Sequence, residues 1–460
     1  MLTQALADWI AGLRAEHVPV DVKREIALLS LDTFGCALSG AAQPWSAAIR
    51  DWALDGGTPR SGAARIWGEA VPRLRPADAA LVNGAAAHAF EVDDFHNAKV
   101  HLGAVVLPAA FAVGEAVGAA PALIEAAVVA GYEVIIRSSL ALRPARARER
   151  GWHLTSVCGP LGAATAAAML LRLDAQRTAW ALGLAGTQAC GLYAFTADGS
   201  DSKRLHPGRA AQAGVMAAQL AARGLSGPTQ VYEAADGGLL STFTDQSDPT
   251  CLLDGLGEHW HAPRTNFKPH GCCGSAHAHV DAALALRARW RRHGRVRRHG
   301  RVRAGMAGIV DQQCGYPYRP GTALNAQMSG RYAIATALLR GAVLPAQFEA
   351  PCLADPEVVA LANAIEIVRD PALDALYPAR FCGWVEIETS DGRMERAEVL
   401  DPSGSAANPQ RPQAIRAKFA ALTQGLLDAT ALARVQAAFE GLGHTPLSEL
   451  LDAAVVRRVT

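Results

Sequence analysis

The stretch "WVEIETSDGRMERAEV", Trp384 to Val399, decides the fold class, because it is one of the few segments of the chain with a β pattern. Two strand-like runs flank a turn signal at "SDG", residues 390–392. The segment "RVRAGMAGIV", residues 301–310, also has the pattern of a strand. Before about residue 264, by contrast, no strand alternation stands out.

Helical patterns dominate the rest of the chain. Ala-rich segments with apolar residues at helical spacing predict helices over 76–88, 123–142, 156–173, 179–192 and 209–223. Helix returns from Ala414, after the polar linker "PSGSAANPQRPQ". We therefore predict a mainly α fold. A large all-helical domain, residues 1–264 plus 398–460, holds an inserted smaller α+β lid domain, residues 265–397.

Composition excludes several classes of protein. Of 460 residues 50% are hydrophobic, and 44 Lys and Arg balance 43 Asp and Glu, so no global field favours nucleic acid or an acidic membrane. The nine Cys residues include no CxxC pair, which is typical of reduced cytosolic thiols. Residues 1–13 lack a signal-peptide pattern, and charges interrupt the longest apolar region, 102–142. We expect a cytoplasmic protein with neither nucleic acid nor a membrane as partner.

The tandem duplication "RHGRVRRHGRVR", residues 292–303, is interpreted as a solvated loop rather than a nucleic-acid patch.

The segment "AFEVDDFHNAKVHLG", Ala89 to Gly103, gathers ionisable groups directly before a buried run. A carboxylate such as Glu91 or Asp93 paired with His101 suits general acid–base catalysis. The alternative is a capped helix end with satisfied surface charges.

Three further segments place cationic or imidazole side chains at predicted helix starts. They are His153 before Thr155 and Ser156, which we expect to cap an Ala-rich helix, Lys203 and His206 before a helix opening near Gly208, and Lys268 and His270 before a helix opening near Ser275. Helix N-termini attract anions, so three such segments indicate a small substrate with several carboxylates.

A metal site is the alternative to this interpretation. The possible ligands are Asp93, Asp94, His96 and His101, and in a second set His270, Cys272, Cys273, His277 and His279. Neither set has the spacing of a known zinc motif, and no P-loop, GxSxG or strand-associated GxGxxG is present. We expect no metal and no cofactor.

An ordered set of segments resembles one family. They are "LDTFGCALSG", "NGAAAHAFEVDDFH", "HLTSVCGPLGAAT", "SKRLHPGRAAQAG", "FKPHGCCGSAH" and "NAQMSGRYAIATALLRG". In this order they resemble the MmgE/PrpD superfamily, which includes 2-methylcitrate dehydratase, cis-aconitate decarboxylase and iminodisuccinate epimerase. The resemblance implies a helical domain with an α+β lid, a homodimer, and an active site without cofactor. It also places His101, His153, Lys203 and Lys268 at active-site positions. Glu91 stands where relatives often have the first Asp of a D-x-D-D-T pattern, and Phe95 replaces the Thr.

The resemblance and the residues together predict proton transfer at a carbon next to a carboxylate. We expect catalytic roles for His101, Glu91, Asp93, Lys203 and Lys268, and substrate binding by His153, His206 and His270. His101 is the favoured proton-transfer group, with Glu91 or Asp93 orienting it. The predicted activity is a lyase reaction on a small di- or tricarboxylate, either dehydration or decarboxylation. The alternatives are an epimerase acting on a polycarboxylate such as iminodisuccinate, and a non-catalytic carboxylate-binding protein.

Overall fold

The computed structural model describes residues 1–55, 63–292, 301–377, 379–388 and 392–456. It divides the chain into two compact units. The first comprises Met1–Ala89, Asp93–Thr265 and Ile415–Thr460, and the second comprises Phe90–Val92 and Asn266–Ala414.

The first unit is built almost entirely of helices. Before residue 265 these are α1 (Leu2–Gly12), α2 (Val20–Gly40), α3 (Pro44–Asp55), α4 (Pro76–Ala87), α5 (Gly103–Val117), α6 (Pro121–Ala141), α7 (Pro144–Glu149), α8 (Leu154–Leu170), α9 (Ala175–Gly186), α10 (Ser202–Ala222) and α11 (Leu239–Thr242). Two short antiparallel strands, β1 (Ala64–Arg65) and β2 (Arg73–Leu74), lie between α3 and α4.

Small residues let the central helices of this unit approach closely. Helix α10 packs against α4 and α8, and α8 is buried along its whole length. A Cβ added to Gly84 would lie 2.8 Å from the Cα of Gly208, so α4 and α10 meet backbone to backbone. Helices α5, α8 and α10 each contain a proline, at Pro108, Pro160 and Pro207. Because proline has no N–H, one carbonyl near the start of each helix receives no helical hydrogen bond.

The second unit combines helices with one sheet. Its helices are α12 (His277–Arg292), α13 (Gly308–Cys314), α14 (Ala323–Gln327), α15 (Gly330–Arg340), α16 (Ala350–Leu353), α17 (Pro356–Ala364) and α18 (Pro371–Leu376), and its strands are β3 (Val302–Met306), β4 (Glu366–Arg369), β5 (Gly383–Glu388) and β6 (Met394–Val399). The strand order is β4-β3-β5-β6, with β4 parallel to β3 and the other pairs antiparallel. Helix α12 packs on β5 and β6, and α15 packs on α12.

The chain ends in helices α19 (Arg411–Leu422), α20 (Ala429–Glu440) and α21 (Leu447–Ala453). A buried ion pair fixes α19 to α2, because Lys418 Nζ lies 2.7 Å from an Asp32 carboxylate oxygen. Burial raises the pKa of Asp32 to about 6, although the Lys418 charge opposes this shift.

The mainly α class predicted from the sequence is confirmed, and both predicted β segments contain strands. Strand β4 was not predicted. Two predicted helix boundaries are wrong: α9 ends at Gly186 rather than near Leu192, and α10 begins at Ser202 rather than near Gly208. Pro207, which directly precedes the predicted start near Gly208, lies within α10. Residues 390 and 391 of the predicted turn 390–392, and most of the duplicated segment, 293–300, lie outside the described residues.

None of the helices within the described ranges is by itself both long enough and apolar enough to cross a membrane. The bent pair α2 and α3 meets the criteria of length and composition when taken together.

Candidate active site

The loop between α4 and α5 is held in place by Asp94. Its carboxylate accepts hydrogen bonds from the backbone N–H of Leu102 (3.1 Å) and Gly103 (2.9 Å) and from the Tyr132 hydroxyl (2.7 Å). Asp94 thus satisfies N–H groups at the start of α5, as a helix cap does. A side chain at Gly103 would collide with the Thr33 hydroxyl, so this close approach requires glycine.

Asp93, the residue before this anchor, contacts two imidazoles. Its Oδ2 lies 2.7 Å from Nδ1 of His88 and 3.1 Å from Nδ1 of His101. Burial alone would raise the pKa of the Asp93 carboxyl, but the two rings hold this pKa well below its usual range. Burial lowers the pKa of His88 well below its usual value, against the attraction of Asp93. The group is therefore an ionised carboxylate that accepts hydrogen bonds from two imidazole N–H groups.

The surroundings of His101 fix its tautomer. Nδ1 of His101 lies 2.8 Å from the backbone carbonyl oxygen of Asp94 as well as 3.1 Å from the Asp93 carboxylate. Both neighbours are acceptors, so we assign the proton of the neutral ring to Nδ1. Nε2 then carries the lone pair and can take up a proton. The backbone N–H of His101 also donates to the Thr155 hydroxyl, 3.0 Å away, in the first turn of α8.

A second imidazole pair lies near the first. Nδ1 of His153 lies 2.8 Å from Nδ1 of His206, and the ring centroids of His153 and His101 are 6.5 Å apart. Burial, reinforced by neighbouring positive charge, lowers the pKa of His153 well below its usual value and that of His206 to about 4. Both rings are therefore neutral at neutral pH, with one donating to the other. His153 is itself the residue that precedes α8, so the prediction that Thr155 and Ser156 cap this helix is wrong.

Two buried cations lie in the first turn of α10. Lys203 is 3% exposed and Arg204 is 1% exposed. The charge of Lys203 contributes to the lowered pKa values of both His88 and His206, so it acts on both imidazole pairs. Burial lowers the pKa of Arg204 to about 10, and its guanidinium lies 5.0 Å from the ring centroid of Trp45. The sequence analysis placed Lys203 and His206 before the helix, but both residues lie inside it.

Glu91 and Lys268 belong to the second unit. Lys268 Nζ lies 2.7 Å from Oε2 of Glu91, and both side chains are buried. Glu91 has a φ of 57°, a left-handed conformation that is costly for a residue with a side chain. The side-chain amide of Gln327 donates a hydrogen bond of 2.9 Å to the backbone carbonyl of Phe90, the residue before Glu91. The strained backbone is thus held by surrounding contacts, a feature that is common at functional sites.

His270, also in the second unit, is oriented by Asp281. Its Nε2 lies 2.7 Å from Oδ1 of Asp281. The backbone N–H and hydroxyl of Ser403 donate to the same carboxylate, at 2.7 and 3.0 Å. We assign the ring proton to Nε2, which donates in this contact. Nδ1 of the neutral His270 ring is then a hydrogen-bond acceptor.

The structure therefore brings the predicted residues together in two groups. His101, Asp93, His153, His206 and Lys203 lie in the first unit, while Glu91, Lys268 and His270 lie in the second. Of the two carboxylates considered as the partner of His101, Asp93 makes the contact and Glu91 instead pairs with Lys268. Sequence reasoning missed His88 and Arg204 as site residues. The signal for His88 was its place directly after α4, five positions before Asp93.

Within the described ranges, one group has side chains close enough to hold a metal ion. Ligand atoms of His88, Asp93 and His101 lie within 4.8 Å of one another. In the observed arrangement, however, both Nδ1 atoms are directed at the Asp93 carboxylate as donors. A metal bound through these atoms would have to replace both protons.

Sequence comparison identifies the family. The family model described as "MmgE/PrpD N-terminal domain" matches residues 4–251, and the model described as "MmgE/PrpD C-terminal domain" matches residues 270–442. The chain belongs to the MmgE/PrpD family.

Curated relatives extend over nearly the whole chain. A cis-aconitate decarboxylase-like protein of Aspergillus oryzae is 31% identical over 95% of this chain and 93% of its own length. A cis-aconitate decarboxylase of Aspergillus terreus is 30% identical over 99% of this chain and 96% of its own. A cis-aconitate decarboxylase of Mus musculus is 26% identical over 93% of this chain and 87% of its own. These relatives bear the names of lyases, and none of the three is named an epimerase.

Proposed function

We propose that this chain is a lyase that decarboxylates a small tricarboxylate, with cis-aconitate as the first substrate to test, and that it needs no cofactor. The observation that carries the proposal is the arrangement of His101. Its Nδ1 is held by Asp93 and the Asp94 carbonyl, and the buried pair His153 and His206 lies nearby. The names and coverage of the relatives support the same reaction.

Decarboxylation next to a double bond makes two demands on a protein. When CO2 leaves, its bonding electrons remain on the substrate and spread toward a neighbouring carboxylate, which then needs positive charge nearby. A proton must also be delivered to carbon to form the product. A site for this reaction therefore requires a cation and a positioned proton donor, held together in a poorly solvated environment.

The first unit offers both. Lys203 is buried and acts electrostatically on both imidazole pairs, so it can stabilise the developing negative charge. Nε2 of His101 can carry the proton, because the Asp93 carboxylate compensates the charge of the imidazolium while it orients the ring. Of the neutral rings of His153 and His206, the one that accepts in their Nδ1–Nδ1 hydrogen bond keeps its proton on Nε2, and it can donate a hydrogen bond to a substrate carboxylate without competing for the transferred proton.

The second unit contains a buried cation of its own. We propose that Lys268 binds a carboxylate and that Glu91 balances its charge when the site is empty. We propose that His270, oriented by Asp281, accepts a hydrogen bond through Nδ1. These roles follow from charge and hydrogen-bonding capacity, and each can be tested by substitution.

The test is to incubate the purified chain with cis-aconitate, a 2-methylcitrate and iminodisuccinate in D2O, and to follow proton NMR together with CO2 release. Release of CO2 with one deuterium incorporated on carbon is the expected result. Loss of water would instead indicate a dehydratase, and deuterium exchange without loss of mass an epimerase. Saturable binding without turnover of any acid would indicate a carboxylate-binding protein.

The same assay tests the expectation that no metal takes part. Activity should survive exhaustive chelation. If chelation abolished turnover and a divalent metal restored it, the group of His88, Asp93 and His101 would be the first place to look for the ion.

A further inference from the structure

One face of α6 carries two polar side chains that reach the loop between α4 and α5. The Tyr132 hydroxyl donates to Oδ2 of Asp94 at 2.7 Å. The Ser139 hydroxyl donates to the backbone carbonyl of Ala98 at 2.6 Å. Tyr132 and Ser139 are about two helical turns apart, so they lie on the same face of the helix, and both are fully buried. The loop is therefore fixed to α6 at two points.

The Tyr132 hydroxyl is a hydrogen-bond donor that lies against the start of α5. Burial, reinforced by the charge of Asp94, raises the pKa of Tyr132 well above its usual value, so the hydroxyl keeps its proton at neutral pH. The same carboxylate oxygen, Oδ2, also accepts a hydrogen bond of 3.1 Å from the backbone N–H of Gly103. A Cβ added to Gly103 would lie 2.9 Å from the Tyr132 hydroxyl oxygen. The orientation of the Asp94 carboxylate is therefore set by α5 and α6 together.

The backbone of Asp94 connects this anchor to the ring of His101. Nδ1 of His101 lies 2.8 Å from the Asp94 carbonyl oxygen and 3.1 Å from the carboxylate of Asp93, the preceding residue. The backbone N–H of His101 is held separately, because it donates to the Thr155 hydroxyl of α8 at 3.0 Å. Helix α8 thus holds His101, while α6 holds the residue that carries one acceptor for its ring and adjoins the other. A displacement of Asp94 would therefore move both acceptors relative to Nδ1.

We propose that Tyr132 is a positioning residue for His101. By holding the Asp94 carboxylate from α6, its hydroxyl keeps the Asp94 carbonyl and the Asp93 carboxylate directed at Nδ1, so that Nε2 of His101 stays the atom that takes up and delivers the proton. Tyr132 acts through Asp94 and is not assigned a contact with the substrate. The inference rests on the proposed role of His101, but the state of the His101 ring can be measured without any turnover.

The test is Tyr132→Phe, which keeps the buried ring and removes only the hydroxyl. Long-range proton–nitrogen NMR of the full chain with nitrogen-15-labelled histidine shows which ring nitrogen carries the proton, and loss of one signal in His101→Gln assigns His101. The parent chain should carry the His101 proton on Nδ1. In Tyr132→Phe, a measurable share of His101 should carry it on Nε2. In steady-state kinetics kcat should fall by about ten- to a hundredfold, because small misplacements of a reacting group are costly, with KM within about threefold.

Two further variants separate positioning from packing. Tyr232→Phe is the matched control, because Tyr232 is also buried and its hydroxyl lies 2.6 Å from the hydroxyl of Ser138, another residue of α6. This control should keep both the Nδ1 tautomer of His101 and the parent kcat. A double-mutant cycle with Asp94→Asn tests the route of the effect. If Tyr132 acts through Asp94, Tyr132→Phe should lower kcat by less than about threefold in a chain that already carries Asp94→Asn.

Several results would overturn the inference. A parent chain with the His101 proton on Nε2 would do so without any variant. So would Tyr132→Phe if it kept the parent tautomer, even with a lowered kcat, or if it failed to fold while Tyr232→Phe folded, because Tyr132 would then serve the fold and not the site. An equal tautomer change in Tyr232→Phe would indicate a general loosening of α6. If the parent turned over no acid but the tautomer changed in Tyr132→Phe alone, the proposed function would fail and the positioning of His101 by Tyr132 would stand.

Discussion

Replacing Asp93 by Asn tests the central feature of the site. Asn has nearly the same shape, and its amide oxygen can still accept a hydrogen bond from His88 or His101. The substitution therefore removes a buried negative charge with little change in packing. Without that charge, the imidazolium of His101 loses the group that compensates it during proton transfer.

The size of the effect follows from the geometry. Nδ1 of His101 lies 3.1 Å from Asp93 Oδ2, and the charge centres of the two groups are somewhat farther apart. For two charges about 4 Å apart at an effective dielectric constant of about 20, the interaction is about 4 kcal/mol. Since about 1.4 kcal/mol corresponds to a tenfold change in rate, kcat should fall by about 10³. Thermal stability should change little, because burying a carboxylate is itself costly.

The assay is steady-state turnover of the substrate identified by NMR, together with a melting curve for each variant. Glu133→Gln is the matched control, because Glu133 is equally buried but accepts its hydrogen bonds from the Arg137 guanidinium and from the backbone N–H groups of His261 and Ala262. Its kcat should stay within about threefold of the parent value, an order-of-magnitude bound for a residue outside the site. The reasoning fails if Asp93→Asn retains more than a tenth of the parent kcat, or if its loss of activity matches a loss of folded protein.

Three other outcomes are expected. Lys203→Ala should lower kcat by roughly 10²–10³ with a smaller change in KM, and near-normal kcat in steady-state kinetics would remove Lys203 from the site. The pKa of His206 is about 4 in the folded chain and about 6.5 in the unfolded chain, so the unfolded chain binds the proton first as the pH falls. The stability that His206 contributes above pH 6.5 is therefore lost toward pH 4. His206→Gln should reduce that loss by up to about 3 kcal/mol in urea unfolding across this range, and an unchanged slope would contradict the assignment. Glu91→Gln should destabilise the fold by about 3 kcal/mol, because Lys268 keeps its charge in a buried place. The double variant with Lys268→Met should recover much of this loss of stability. Equal losses of stability for the single and the double variant in denaturant unfolding would argue against this pair.

Local patterns were enough to predict much of the fold. Helical spacing in Ala-rich segments predicted the mainly α class, because burial of one helix face repeats every three or four residues regardless of what lies opposite. Alternation at 301–310 and 384–399 predicted strands for the same kind of local reason. Strand β4 and the true start of α10 were missed, because a short half-exposed strand has a weak pattern and Pro207 is tolerated inside a helix only in its tertiary setting.

For the candidate site, the sequence determined which side chains were available, and only the tertiary structure decided which of them meet. Asp93 was one of several nearby carboxylates, and its selection as the partner of His101 depends on Asp94 being drawn to the start of α5. His153 and His206 are 53 positions apart and form a hydrogen bond because two helices place them together. Short-range spacing carries no information about such a contact, since it is set by how closely the helices pack and by which buried polar groups must find a partner.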